Sequence, residues 1–170
     1  STSYIMHTKN ILTLFLLLAQ LIAQKPIWPT DAGNSYSSNF GEYRDDHFHM
    51  GIDVRTNGTT GYKVFASENG YISRIVTNYS GYGKAIYQKT TSGKTIVYAH
   101  LDKFSPIMER VLKLQQSKNK KYSVSTNFSP NEFPLKQGDV IGTTGETGYA
   151  FGPNLHFEVR DESDAALDPL

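Results

Sequence analysis

The chain has 170 residues, with 17 Lys+Arg against 16 Asp+Glu, five His and no Cys. This length suits one ordinary domain, and the near-neutral balance excludes a nucleic-acid binder that relies on a strongly basic surface. Without cysteine there are no disulfide scaffolds, thiolate zinc sites or cysteine nucleophiles, so any metal must be held by His and carboxylates.

In chain order, residues 11–23 (ILTLFLLLAQLIA) form the only long apolar run, preceded by Lys9 and closed by the small residue Ala23. That pattern predicts a secretory signal over residues 1–24, with Met6 as a true start and Ser1–Ile5 as an upstream remnant. The run falls short of the ~20 apolar residues of a membrane span, so a membrane contact is expected only if the signal stays uncleaved. Residues 25–170 are then a single exported domain in the periplasm or cell envelope. Its first part, residues 25–46, is rich in Pro, Gly, Ser and Asn and reads as extended loop.

From residue 62 onward come short runs of β-branched and aromatic residues bounded by Gly or Asn. They predict strands at 63–66, 70–77, 84–89, 95–101, 140–143 and 155–160. Turn signals such as Glu68-Asn69-Gly70 and Gly81-Tyr82-Gly83 suit hairpins, which makes the fold mainly β and antiparallel rather than βαβ. Residues 105–118 differ: Pro106 follows Ser105, and Ile107, Met108, Val111, Leu112 and Leu114 form an amphipathic helical stripe. Residues 119–134 are polar and irregular. The whole of 103–134 therefore reads as a helical insertion, either a surface cover or a wall over a groove.

His7 lies in the signal, which leaves His47, His49, His100 and His156 as candidates for chemistry. In Asn154-Leu155-His156-Phe157-Glu158-Val159 polar and apolar residues alternate. Strand geometry then sends Leu155, Phe157 and Val159 to the core and Asn154, His156 and Glu158 to the other face. By the same alternation His100, closing the strand 95–101, shares a face with Ile96 and Tyr98. The densest cluster is Asp45-Asp46-His47-Phe48-His49-Met50-Gly51-Ile52-Asp53, whose nitrogen and oxygen donors suit zinc. Gly51 would let the backbone turn so that His49 and Asp53 converge on one ion. On composition alone a polar turn remains equally open. Gly142-Thr-Thr-Gly-Glu-Thr-Gly148 lacks the Gly-Lys-Ser/Thr end of a nucleotide-binding loop, and no G-x-S-x-G elbow for a serine hydrolase occurs.

Taken together, His49-Met-Gly-Ile-Asp53, Tyr98-Ala-His100-Leu101, Gly138-Asp-Val-Ile-Gly142 with Gly145-Glu-Thr-Gly148, and Gly152-Pro-Asn154-Leu-His156-Phe-Glu-Val-Arg160 resemble lysostaphin/LytM-type zinc endopeptidases of bacterial cell walls. Ser38-Asn-Phe-Gly41 and the Asp-Pro-Leu ending are similar to family features too, and the resemblance covers roughly residues 28–170. It implies a twisted antiparallel β fold with a groove over the main sheet. It implies one zinc per chain on His49, Asp53 and His156, with His100 as base or transition-state donor. The implied substrate is a peptide of peptidoglycan. One position departs: active members have H-x-H where this chain has Asn154-Leu155-His156, so Asn154 stands where a second catalytic imidazole is expected. The alternative this raises is a weakly active or non-catalytic domain that regulates a cell-wall amidase.

Overall fold

The computed structural model describes residues 25–45 and 47–170. The expected export signal over residues 1–24 lies outside them, as does Asp46. No helix among the described residues is long and apolar enough to cross a membrane.

The predicted strands form, and every pairing among the described residues is antiparallel. In chain order they are β1 (Tyr36–Ser38), β2 (Ile52–Arg55), β3 (Lys63–Phe65), β4 (Gly70–Thr77), β5 (Lys84–Thr90), β6 (Thr95–Ala99) and β7 (Leu101–Phe104). The helix α1 (Pro106–Asn119) follows, then β8 (Val124–Asn127), β9 (Pro134–Leu135), β10 (Val140–Thr144), β11 (Asn154–Arg160) and β12 (Ala166–Leu167). The large sheet runs β1-β2-β11-β6-β5-β4-β8, with β12 beside β11 and β9 beside β4; a small sheet runs β3-β10-β7.

Alternation builds the core as the sequence predicts. Ile52 and Val54 of β2, Ile96 and Tyr98 of β6, and Leu155 and Phe157 of β11 all point inward, joined by Leu101 and Ile141 of the small sheet and Met108 and Leu112 of α1. Val159 packs against this cluster, partly buried. The opposite face of the large sheet carries the polar set of β11.

Two expectations change. The predicted strand 95–101 is two strands, because His100 adopts a left-handed backbone (φ 59). The chain there leaves the large sheet as β6 and enters the small sheet as β7. That corner breaks the alternation, so His100 does not share the face of Ile96 and Tyr98. It lies instead on the side of His156, whose ring centroid is 5.7 Å away. The stretch 119–134 is likewise not irregular throughout: β8 pairs along β4 from Arg74↔Asn127 to Thr77↔Val124, and β9 pairs with Gly70 and Tyr71. With Met108 and Leu112 buried, the segment extends the sheet and seals one end of the core.

Candidate metal centre

β2 and β11 are neighbours, and their register sets Asp53 directly across from His156. On adjacent strands such a pair projects from the same face. His49 arrives from the loop before β2. Its N–H donates to the Glu42 carbonyl while its own carbonyl accepts from the Gly41 N–H, each at 2.8 Å, which ties the loop into a narrow ladder. Gly51 is needed for a reason other than the turn expected of it. A Cβ there would lie 2.3 Å from the Phe157 carbonyl oxygen, so only glycine lets the segment between His49 and Asp53 lie flat against β11.

Three ligand atoms converge. His49 Nε2 is 2.9 Å from His156 Nδ1, His156 Nδ1 is 2.9 Å from Asp53 Oδ1, and His49 Nε2 is 3.2 Å from Asp53 Oδ1. Ligands ~2.0 Å from a tetrahedral ion are ~3.3 Å from one another, so this triangle is close to one face of such a coordination shell. The outer nitrogens have partners of their own. His49 Nδ1–H donates to the Asn39 carbonyl at 2.8 Å, and His156 Nε2–H donates to Glu158 Oε1 at 2.7 Å. The inner nitrogens are the ones turned to the centre, and a bound metal would take the place of the proton they share with Asp53, while the outer hydrogen bonds orient both rings as in metal sites. Among the described residues His49, Asp53 and His156 are the group able to hold a metal ion.

The surrounding charges suit a cation. Burial pushes the Asp53 carboxyl up, but hydrogen bonds from His156 and His49 outweigh it and hold the group far below the usual carboxylate range. Burial opposes charge on His156, yet Asp53 and Glu158 overcome this and push it up to about 9. Glu158, fully buried, also stays ionised: burial raises it, and the His156, Tyr82 and Arg160 contacts bring it below its ordinary value. Tyr82 Oη donates to Glu158 at 2.5 Å, and Arg160 Nε donates to its other oxygen at 2.8 Å.

His100 stands beside this centre. Its Nδ1–H donates to the Thr147 carbonyl at 2.8 Å, which leaves Nε2 as a bare acceptor. Burial holds its pKa below the ordinary value, so the ring is neutral near pH 7. Thr147 is placed by the glycines flanking it. Gly83 and Gly148 approach so closely that a Cβ on Gly148 would sit 2.3 Å from Gly83 N, and Lys84 N–H donates to Thr147 Oγ1 at 2.8 Å. The Gly145–Gly148 turn is thus a packing device for His100 and not a phosphate cradle. Asn154, the first residue of β11, donates from Nδ2 to the Gly152 carbonyl at 3.0 Å; its Oδ1 is buried without a hydrogen-bond partner.

The centre lies in a groove of about 720 Å³ lined by His47, His49, Asp53, Tyr82, His100, Asn154 and His156, among others. None of its lining comes from residues 103–134. Aromatic pairs stand on its two bordering loops, Tyr43 with Phe48 (centroids 5.8 Å) and Tyr149 with Phe151 (5.2 Å), all strongly exposed. Sequence reasoning placed Glu158 on the right face without a role, and missed Tyr82 and Arg44. Arg44 Nη2 donates to Asp53 Oδ2 at 3.1 Å and to Ser38 Oγ at 2.6 Å. Nothing local marks these two residues, because their partners are 76 and 9 positions away.

Residues 47–169 match Peptidase family M23, and the chain belongs to this family. It is 31% identical over 112 residues to the DD-carboxypeptidase/endopeptidase Mpg of Neisseria meningitidis, covering 66% of this chain and 20% of that protein. The chain thus spans about a fifth of the length of this curated relative. Among solved structures it is similar to a zinc-containing peptidase from Vibrio cholerae (TM-score 0.59, 23% identity, 86% of this chain and 38% of that one). It is also similar to a chain of the SpoIIIAH–SpoIIQ complex (TM-score 0.61, 22% identity, 85% and 97%). At these identities the two structures establish a shared fold. The LytM-type resemblance read from four motifs therefore holds.

Proposed function

We propose that this chain is a zinc-dependent endopeptidase domain that hydrolyses peptide bonds of bacterial peptidoglycan in the cell envelope. The observation that carries the reading is the convergence of His49 Nε2, Asp53 Oδ1 and His156 Nδ1 at one point in a groove, each imidazole oriented by a hydrogen bond from its outer nitrogen. These three residues would hold one zinc per chain. Bound there, zinc supplies Lewis acidity toward a peptide carbonyl and a water of lowered pKa.

The chain's own groups do the rest. His100, neutral and with Nε2 open, takes a proton at that atom while Thr147 holds Nδ1–H and keeps the ring aimed. Glu158 anchors His156 and is itself clamped by Tyr82 and Arg160. Asn154 has no proton to exchange near neutral pH. That favours a second reading, a slow or non-catalytic domain that acts by docking on a cell-wall amidase.

The purified protein is expected to carry about one zinc by metal analysis and to release muropeptides from peptidoglycan, an activity lost to a chelator and restored by added zinc. Protein that retains no zinc would overturn the reading. Glu158→Gln keeps an acceptor for His156 but removes the charge, and it should weaken zinc binding by ~10–100-fold in competition with a chromophoric chelator. Unchanged affinity would remove Glu158 from the anchoring role.

A further inference from the structure

The insertion 103–134 takes no part in the groove, yet the positive charge of the molecule is concentrated there. It carries six Lys and Arg against two acids, whereas the rest of residues 25–170 carries ten against fourteen. A neutral domain thus has a strongly positive segment on a negative remainder. All six cations, Lys103, Arg110, Lys113, Lys118, Lys120 and Lys121, are exposed. Among the described residues, the ion pairs made by Lys and Arg use Arg44, Lys84 and Arg160 instead. Both acids of the insertion are engaged: Glu109 accepts from Lys84 Nζ at 3.1 Å and from the Phe104 N–H at 2.8 Å, and Glu132 accepts from Ser129. The helix dipole favours Lys118, Lys120 and Lys121 at the end of α1, but it does not account for Arg110 and Lys113 in the middle. Apolar groups stand among these charges. Met108 and Leu112 of α1 face the core; on its outward side Ile107 and Leu114, two turns apart with Arg110 between them, are 50% and 70% exposed. Just past the helix Tyr79, 78% exposed, stacks on Tyr122 with ring centroids 4.5 Å apart.

We propose that the outward face of α1 docks the domain on an anionic lipid surface. Its cations attract the headgroups, and each Lys or Arg close to such a surface strengthens binding by ~5-fold. Ile107 and Leu114 enter the boundary between headgroups and acyl chains, and the Tyr79–Tyr122 pair has the amphipathic character favoured at that depth. A soluble polyanion would satisfy the cations equally well, but it gives two protruding aliphatic side chains nothing to bury against. That pair of side chains is what selects lipid. Docking on this face leaves the groove uncovered, since residues 103–134 supply none of its lining. The proposal goes beyond the function proposed above and depends neither on the reaction at the metal centre nor on residues 1–24: it gives the domain a membrane contact that needs no retained signal.

Sedimentation of the full chain with vesicles tests this. Vesicles of phosphatidylcholine alone are compared with vesicles that also contain phosphatidylglycerol. Residues 1–24 hold a single Lys or Arg, Lys9, so contact through them is nearly insensitive to lipid charge and the difference between the two vesicles reads the face of α1. The anionic vesicles should bind ~10-fold or more tightly, and the difference should shrink as salt is raised. The triple variant Lys113→Gln, Lys120→Gln, Lys121→Gln should remove most of it. Lys25→Gln, Lys63→Gln, Lys136→Gln takes the same charge from exposed positions elsewhere and should keep it. Ile107→Ser with Leu114→Ser should weaken binding to anionic vesicles by ~10-fold and leave retention on a heparin column unchanged. An unshifted melting temperature checks that each variant is folded. No preference for anionic vesicles would overturn the proposal. So would equal losses in the two triple variants, since net charge alone would then be acting. Undiminished vesicle binding by the Ile107→Ser, Leu114→Ser protein would make the face a site for soluble polyanions and reject the lipid surface.

Discussion

Replacing His156 with alanine is expected to leave the protein with no zinc and no release of muropeptides. Catalytic zinc sites commonly have three protein ligands, and His156 is the one that meets both other members of the triangle at 2.9 Å. Loss of a residue that merely orients a ligand costs ~10–100-fold in affinity, and loss of the ligand itself should exceed ~10³-fold. The same change strips Asp53 and Glu158 of a shared partner. Lowered stability is therefore expected too, and it has to be separated from the loss of metal. His100→Ala provides the separation: it leaves the triangle intact, so it should retain about one zinc per chain while slowing hydrolysis by ~10²–10⁴-fold. Metal analysis and muropeptide chromatography on the two variants check both halves. A His156→Ala protein that still binds zinc at unit stoichiometry would show that the ion is held elsewhere.

The second large effect is a gain. Asn154→His should raise muropeptide release by at least ~10-fold without changing zinc content. A missing general acid or base typically costs 10²–10⁴-fold, equivalent to ~3–5 kcal/mol of barrier. The local structure is suited to the change. The Gly152 carbonyl that now accepts from Asn154 Nδ2 could accept an imidazole N–H in its place, just as the Thr147 carbonyl does for His100. The buried Oδ1 of Asn154 has no partner to lose. If Asn154→His leaves the rate unchanged, Asn154 is not what limits the site, and the amidase-regulating reading gains ground.

Much of this site could be read from the chain because the relevant rules are local. Strand alternation needs only consecutive residues, and it assigned Leu155 and Phe157 to the core and His156 and Glu158 to the opposite face. The helix start at Pro106 is local as well, since proline fits the first turn. Reading failed where a local rule was broken or a partner was remote. His100 went to the wrong face because one left-handed residue reverses the alternation. β8 read as loop because Val-Ser-Thr-Asn carries little hydrophobic signal of its own, and its order comes from hydrogen bonds to β4. Gly51 was assigned to a turn, whereas its neighbour in space is the backbone of β11.

Five histidines and no cysteine restricted any metal to imidazole and carboxylate ligands, and four ordered motifs carried a resemblance to the family that the comparison then established. Which nitrogens converge with Asp53, that His100 lies beside them, and that Glu158 and Arg44 brace the two sides were decided by the tertiary structure. Hydrogen bonds reach only about 3 Å, and folding alone brings Asp53 within that distance of a histidine 103 residues away.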